Sequence, residues 1–116
     1  MTIRMYGIPN CDTIRKARMH LAERGVAYHF HDYKKDGVPA DELARWIAHL
    51  GWEPLLNRRG PTWRKLGDAV QASVVDAASA QVVMVANPSV IRRPVLVDGN
   101  ELMVGYDAAT WAARFG

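Results

Sequence analysis

Apolar and polar positions along the chain change period twice, and the changes divide it into three parts. Ile3 and Met5 alternate with polar neighbours up to Tyr6, which predicts a first strand over Thr2–Gly7. From Cys11 to Arg24 the spacing is helical. Ile14, Ala17, Arg18 and Leu21 fall on overlapping turns, Arg15, Lys16, Glu23 and Arg24 can face water, and Gly25 supplies a stop. A second strand is predicted over Val26–Tyr33, centred on 27–32, with Tyr28 and Phe30 on one face and His29 and His31 on the other.

The middle third is helical. After a predicted turn at Lys34–Gly37, Asp41–Leu50 is amphipathic, with Leu43, Trp46, Ile47 and Leu50 on its apolar side and Gly51 at its end. Two further helices are predicted at Thr62–Leu66 and Asp76–Ala86, whereas 68–75 shows no readable period. Trp46, Trp52 and Trp63 do not repeat at a fixed spacing, nor are basic residues interleaved with all three, so they are expected as packing anchors rather than a base-stacking platform. The final third returns to strands. Pro94-Val95-Leu96-Val97, the turn Asp98-Gly99-Asn100, and Glu101-Leu102-Met103-Val104 predict a hairpin, and Asp107 is placed to cap a closing helix over Ala108–Phe115. With the first two strands parallel and the hairpin antiparallel, the expected fold is a thioredoxin-like α/β arrangement in one domain, 1–116, carrying a helical insertion at about 39–87.

Composition adds bounds. The 116 residues are 49% hydrophobic and 23% charged, enough for one core. The opening Met1–Tyr6 has neither the basic leader nor the apolar run of a signal peptide, and no later segment is long and apolar enough to span a bilayer, so a cytoplasmic location is expected. The formal charge is only +3 and acidic residues are spread through the chain, so neither nucleic-acid nor membrane binding is expected. Cations concentrate in Arg58, Arg59, Arg64 and Lys65 and again at Arg92 and Arg93, which offers anion sites. His29 and His31 share a strand face, but no third ligand completes a site and no metal is expected. His20 and His49, on predicted helices, are weaker candidates still.

Cys11 is the one cysteine. It follows the turn Gly7-Ile8-Pro9-Asn10 where the first helix begins, so its sulfur should feel the unpaired first-turn amides and the positive end of the helix dipole, both of which favour thiolate. Arg93 and Arg58 could lower its pKa further and hold an anion such as an oxyanion or the carboxylates of glutathione. Arg92 and Arg59 compete for those roles, because neighbours on an extended segment point opposite ways.

Tyr6-Gly7-Ile8-Pro9-Asn10-Cys11-Asp12-Thr13, Leu55-Leu56-Asn57-Arg58 and Asn87-Pro88-Ser89-Val90-Ile91-Arg92-Arg93-Pro94 resemble the ArsC family, which includes arsenate reductases, Spx regulators and YffB-like reductases. The resemblance covers nearly the whole chain. It is closest to the YffB-like branch, through 30–37 and through Gly51-Trp52-Glu53 up to Trp63. It implies a thioredoxin fold, Pro94 as a cis-proline facing the reactive cysteine, and Arg93 as an anion-binding residue beside it. The candidate site is therefore Cys11 as nucleophile, with Asn10, Asp12, Thr13, Arg58, Arg93 and Pro94 around the anion.

Arsenate reductases of the family carry arginine where this chain has Asn57, and another near Gly105. Spx regulators often use a Cys-x-x-Cys switch whose second position is Ile14 here, and a Cys-x5-Arg loop would need arginine at Ala17. With one cysteine, an adduct on Cys11 must be resolved by an external thiol. The expected function is thus a glutathione-dependent thiol-disulfide reductase with no bound cofactor, with glutathione as co-substrate and glutaredoxin as a second candidate partner. The alternatives are an arsenate reductase coupled to glutathione and glutaredoxin, and an Spx-like regulator that binds the RNA polymerase α subunit without catalysis.

Overall fold

A computed structural model describes residues 2–116. The chain divides into two compact units, one formed by the residues up to Asp36 together with Arg93–Gly116, the other by Gly37–Arg92.

The first unit holds β1 (Ile3–Gly7), α1 (Asp12–Glu23), β2 (Tyr28–Asp32), the short α2 (Tyr33–Asp36), β3 (Val95–Asp98), β4 (Glu101–Val104) and α7 (Ala108–Phe115). Its sheet has the order β2-β1-β3-β4. β1 runs parallel to β2 and antiparallel to β3, and β3 and β4 form the expected hairpin. This is the thioredoxin-like α/β arrangement expected from the chain. Met5 lies opposite Leu96 across β1 and β3, and both are fully buried with Ile14, Ala17 and Leu21 of α1 and Trp111 of α7. The helical period of α1 thus meets the two-residue period of the sheet in one cluster. Gly7 permits a close approach at this junction, since a Cβ there would come within 2.5 Å of the Ile14 side chain. The hairpin turn takes Gly99 at φ 62°, the Gly-first form of a two-residue loop.

The C-terminal half of α1 is fixed by aromatic groups. His20 is buried, its Nδ1 lies 2.9 Å from the Tyr106 hydroxyl, and its ring meets the Trp111 ring edge-on at 5.8 Å. On β2, Tyr28 and Phe30 pack against the core cluster and share the Arg18 guanidinium, which stands 4.5 Å from the Phe30 centroid. His31, on the other face, packs its ring on Tyr6 and Tyr33. Among the described residues no group of three or more His, Cys, Asp or Glu could hold a metal ion, and no helix is long and apolar enough to cross a membrane.

The second unit contains α3 (Ala40–Leu50), α4 (Pro61–Lys65), α5 (Asp68–Ser73), α6 (Ala77–Ala86) and a 3-10 turn at Pro88–Val90. α3 buries Leu43, Trp46 and Ile47. A bridge between Leu56 and Ile91 is fastened by Asn57 N–H to Val90 O at 2.8 Å and Arg92 N–H to Leu55 O at 2.7 Å. Of the three expected tryptophan anchors Trp46 is buried, while Trp52 and Trp63 are half-buried. Two elements differ from expectation. The Lys34–Gly37 turn is the end of one helical turn, α2, started where Lys34 N–H donates to Asp32 Oδ1 and stopped at Gly37, φ 77°. The unreadable stretch after Gly67 holds α5, which buries no residue and so leaves no apolar period to read.

Both longer C-terminal helices are capped by aspartate. Asp76 and Ser79 form a capping box on α6, and Asp107 accepts from Thr110 N–H on α7. Those hydrogen bonds hold both carboxyls below their usual pKa. Their contribution to stability is therefore complete above the ordinary carboxylate range and lost as pH falls through the lowered folded values. Leu96→Ala should cost about 2–5 kcal/mol in urea unfolding, because it opens a cavity between β1, β3 and α1. A cost within ~0.5 kcal/mol would mean the cluster collapses around the gap.

Candidate active site

The carboxyl end of β1 delivers the chain into Ile8-Pro9-Asn10, and the Cys11 amide closes this turn by donating to Pro9 O at 3.0 Å. Cys11 is the N-cap of α1, with extended backbone at φ −149° and ψ 132°. Its carbonyl already accepts from Arg15 N–H at 2.9 Å, so helix geometry starts at the reactive residue itself. The residue is half-buried and packs against the core cluster below it.

Burial by itself pushes the Cys11 thiol up. It is outweighed by the Ile14 and Thr13 backbone amides, which favour the thiolate, and by the charge and hydrogen bonding of Arg93, so the net pKa is below that of an ordinary cysteine. The sulfur thus occupies the place that a serine or aspartate oxygen takes at other N-caps. It forms no side-chain cap hydrogen bond of ordinary geometry there.

Arg93 reaches the site from the segment entering β3. The Arg93-Pro94 peptide bond is cis, and Pro94 is buried. The Pro94 carbonyl accepts from Gly105 N–H at 2.8 Å, which ties the start of β3 to the residue following β4. Arg92, the adjacent competitor, is directed elsewhere and donates from Nε to Pro54 O at 3.0 Å within the second unit. Arg93 is therefore the member of that pair that acts on Cys11.

The other expected residues divide between the units. Asn10, Asp12 and Thr13 flank Cys11; of these, Thr13 contributes its amide, while the Asn10 and Asp12 side chains are both engaged by Arg15. Arg58 and Arg59 belong to the second unit. Arg58 stands 5.2 Å over the Trp52 ring, and Asn57 Oδ1 accepts from Arg59 N–H at 3.1 Å. A share for Arg58 in anion binding thus rests on the sequence alone. The sequence reading missed Arg15, which it placed only on the solvent face. Its spacing of three from Asp12 was the available signal.

The fold is thus a thioredoxin-like sheet with one cysteine at the N-cap of its first helix and a cis-proline at the entry to β3. The ArsC family model matches residues 6–114, and the chain belongs to that family. Among solved structures it is similar to a YffB protein, with 47% identity, a TM-score of 0.93, and 99% of this chain and 100% of that one covered. It is also similar to an arsenate reductase related protein from Brucella melitensis, 50% identical with a TM-score of 0.78, covering 99% and 95%. An uncharacterised protein of Haemophilus influenzae is 35% identical over 97% of this chain and 98% of its own length. The global transcriptional regulator Spx of Streptococcus agalactiae is 26% identical over 90% and 77%.

Arg93→Ala should slow Cys11 alkylation near neutral pH by about three- to tenfold, since it removes a cation that favours the thiolate. Arg92→Ala should leave the rate at the parent value. Equal effects from both substitutions would contradict the assignment of Arg93.

Proposed function

We propose that the protein is a glutathione-dependent thiol-disulfide reductase whose nucleophile is Cys11. The observation that supports it best is the Cys11 environment: a half-exposed thiol at a helix start, favoured as thiolate by two amides and one guanidinium. Such a sulfur is both nucleophile and leaving group, as thiol exchange requires.

The Cys11 thiolate attacks the glutathione sulfur of a mixed disulfide, forming a Cys11–glutathione disulfide and releasing the substrate thiolate, which takes up a proton from water. A second glutathione, as thiolate, then attacks the glutathione sulfur of that adduct. Oxidised glutathione leaves and the Cys11 thiolate is restored. In the net exchange the incoming glutathione thiolate is oxidised to the disulfide level as the substrate sulfur is reduced to the thiolate, while the glutathione sulfur carried in the mixed disulfide stays at the disulfide level throughout, so no second cysteine is needed. Arg93 lies beside the exchanging sulfur, where it stabilises the charge of the leaving thiolate and attracts the anionic tripeptide. The Thr13 and Ile14 amides serve the same sulfur each time it regains its charge. A single free thiol of this kind suits a reducing compartment such as the cytoplasm.

The arsenate alternative is less supported, because the resemblance places arginines at the position of Asn57 and near Gly105, and this chain has none at either. The Spx-like alternative rests on the more distant relatives and lacks a Cys-x-x-Cys pair.

Turnover of a glutathione mixed disulfide, coupled to glutathione reductase and NADPH, is the direct test. Parallel lines in double-reciprocal plots and loss of turnover in Cys11→Ser are expected. No turnover by a protein whose Cys11 alkylates readily would overturn the reading. A stable complex with the RNA polymerase α subunit in that case would favour the Spx-like alternative.

A further inference from the structure

The two residues on either side of Cys11 in the chain are held by one side chain. Arg15 forms an ion pair through Nη2 with Asp12 Oδ1, while its Nη1 donates to Asn10 Oδ1 at 3.3 Å. Its own amide donates to the Cys11 carbonyl at 2.9 Å. The guanidinium therefore bridges the turn before the nucleophile and the first residue of α1.

Asp12 presents an electrostatic problem. A carboxylate beside a thiolate disfavours the thiolate's charge, and at the first helical position it can turn back toward the same unpaired amides. Asn10 also offers an oxygen that could accept from those amides. Yet the amides of Thr13 and Ile14 serve the sulfur, and no carboxylate is among the groups that bear on its ionisation. Arg93, at the entry to β3, bears on the sulfur, and Asp12 and Arg15 stand next to Cys11 in the first turn of α1.

We propose that Arg15 is a positioning residue for Cys11: its guanidinium draws the Asp12 carboxylate and the Asn10 side chain to the outer face of α1, leaving the first-turn amides to the sulfur. This rests on the reading of Cys11 as the nucleophile. Arg15 touches no reacting atom and acts through Asp12 and Asn10. The ion pair is exposed, with side-chain accessibilities of 58% for Arg15 and 85% for Asp12, so it does little for stability and its effect on the sulfur should be modest. The arrangement explains how an acidic residue is tolerated next to a nucleophile that must remain ionised.

The test is a double-mutant cycle read by the pH profile of Cys11 alkylation with iodoacetamide, a neutral reagent, on the full chain. Arg15→Ala should lower the rate below the midpoint about twofold, with the profile displaced toward higher pH and the plateau at high pH unchanged. In the Asp12→Asn background the same substitution should have a clearly smaller effect, because there is no carboxylate left to release and only the Asn10 side chain is freed. Arg15→Gln, which can still donate to Asn10 but carries no charge, should fall between the parent and Arg15→Ala at low salt, and the differences should shrink as salt is raised. Far-UV circular dichroism and the melting temperature verify that each variant is folded. A flat cycle in a protein with a fast parent rate overturns the positioning role and leaves the nucleophile reading intact. An Arg15→Ala effect of equal size in the Asp12→Asn background also overturns it, since Arg15 would then act by its own charge. A parent protein that alkylates no faster than an ordinary thiol removes the nucleophile reading and this proposal together.

Discussion

The seating of the Cys11 sulfur against the first-turn amides of α1, with Arg93 beside it, is the interaction on which the rest of the site depends. One partner is local, the amides two and three residues after Cys11, but the other is not: the arginine arrives more than 80 residues later at the start of β3. What brings them together is the pairing of β1 with β3, and that pairing is held by Met5 and Leu96 facing α1 in the core. Burial there fixes strand register, because a slip of one residue would turn every core side chain outward. The chemistry of one sulfur is thus set by the hydrophobic packing beneath it.

The helix that carries Cys11 is also anchored at its other end. His20 and Leu21 sit among Tyr106 and Trp111, and Tyr106 directly follows Gly105, whose amide holds the Pro94 carbonyl. Contacts therefore run from the C-terminal half of α1 through α7 and the end of β4 back to the Arg93-Pro94 bond. Such closure by packed side chains and satisfied backbone groups limits how far the Cys11 sulfur and the Arg93 guanidinium can drift apart. It keeps an exposed reactive group on a rigid support.

Most of this was legible in the chain because each element carries its own period and punctuation. The alternation at Ile3 and Met5, the spacing of Ile14, Ala17 and Leu21, the Asp98-Gly99-Asn100 turn and the Asp107 cap each have a local cause, and the structure follows all four. α5 was not legible, since a helix that buries nothing leaves no apolar stripe. The pattern of residues alone left Arg92 and Arg93 open, and it was the family resemblance that pointed to Arg93; the structure turns the Arg92 side chain to Pro54 O. Arg15 was overlooked for a different reason: an exposed ion pair at a spacing of three is common on helices, and only the position of Cys11 between its two partners gives it meaning.

A protein with one cysteine can do thiol exchange only as a relay, taking a partner's sulfur and passing it to an external thiol, so its usefulness depends on how readily Cys11 ionises. The most direct test of that claim is the pH dependence of the Cys11 alkylation rate in the parent protein, with Cys11→Ser as the blank and free glutathione as the reference thiol. The account predicts a midpoint clearly below the ordinary cysteine value of about 8.5, with substantial reactivity near neutral pH. A midpoint at or above that of glutathione, or a thiol shielded from the reagent, would contradict it.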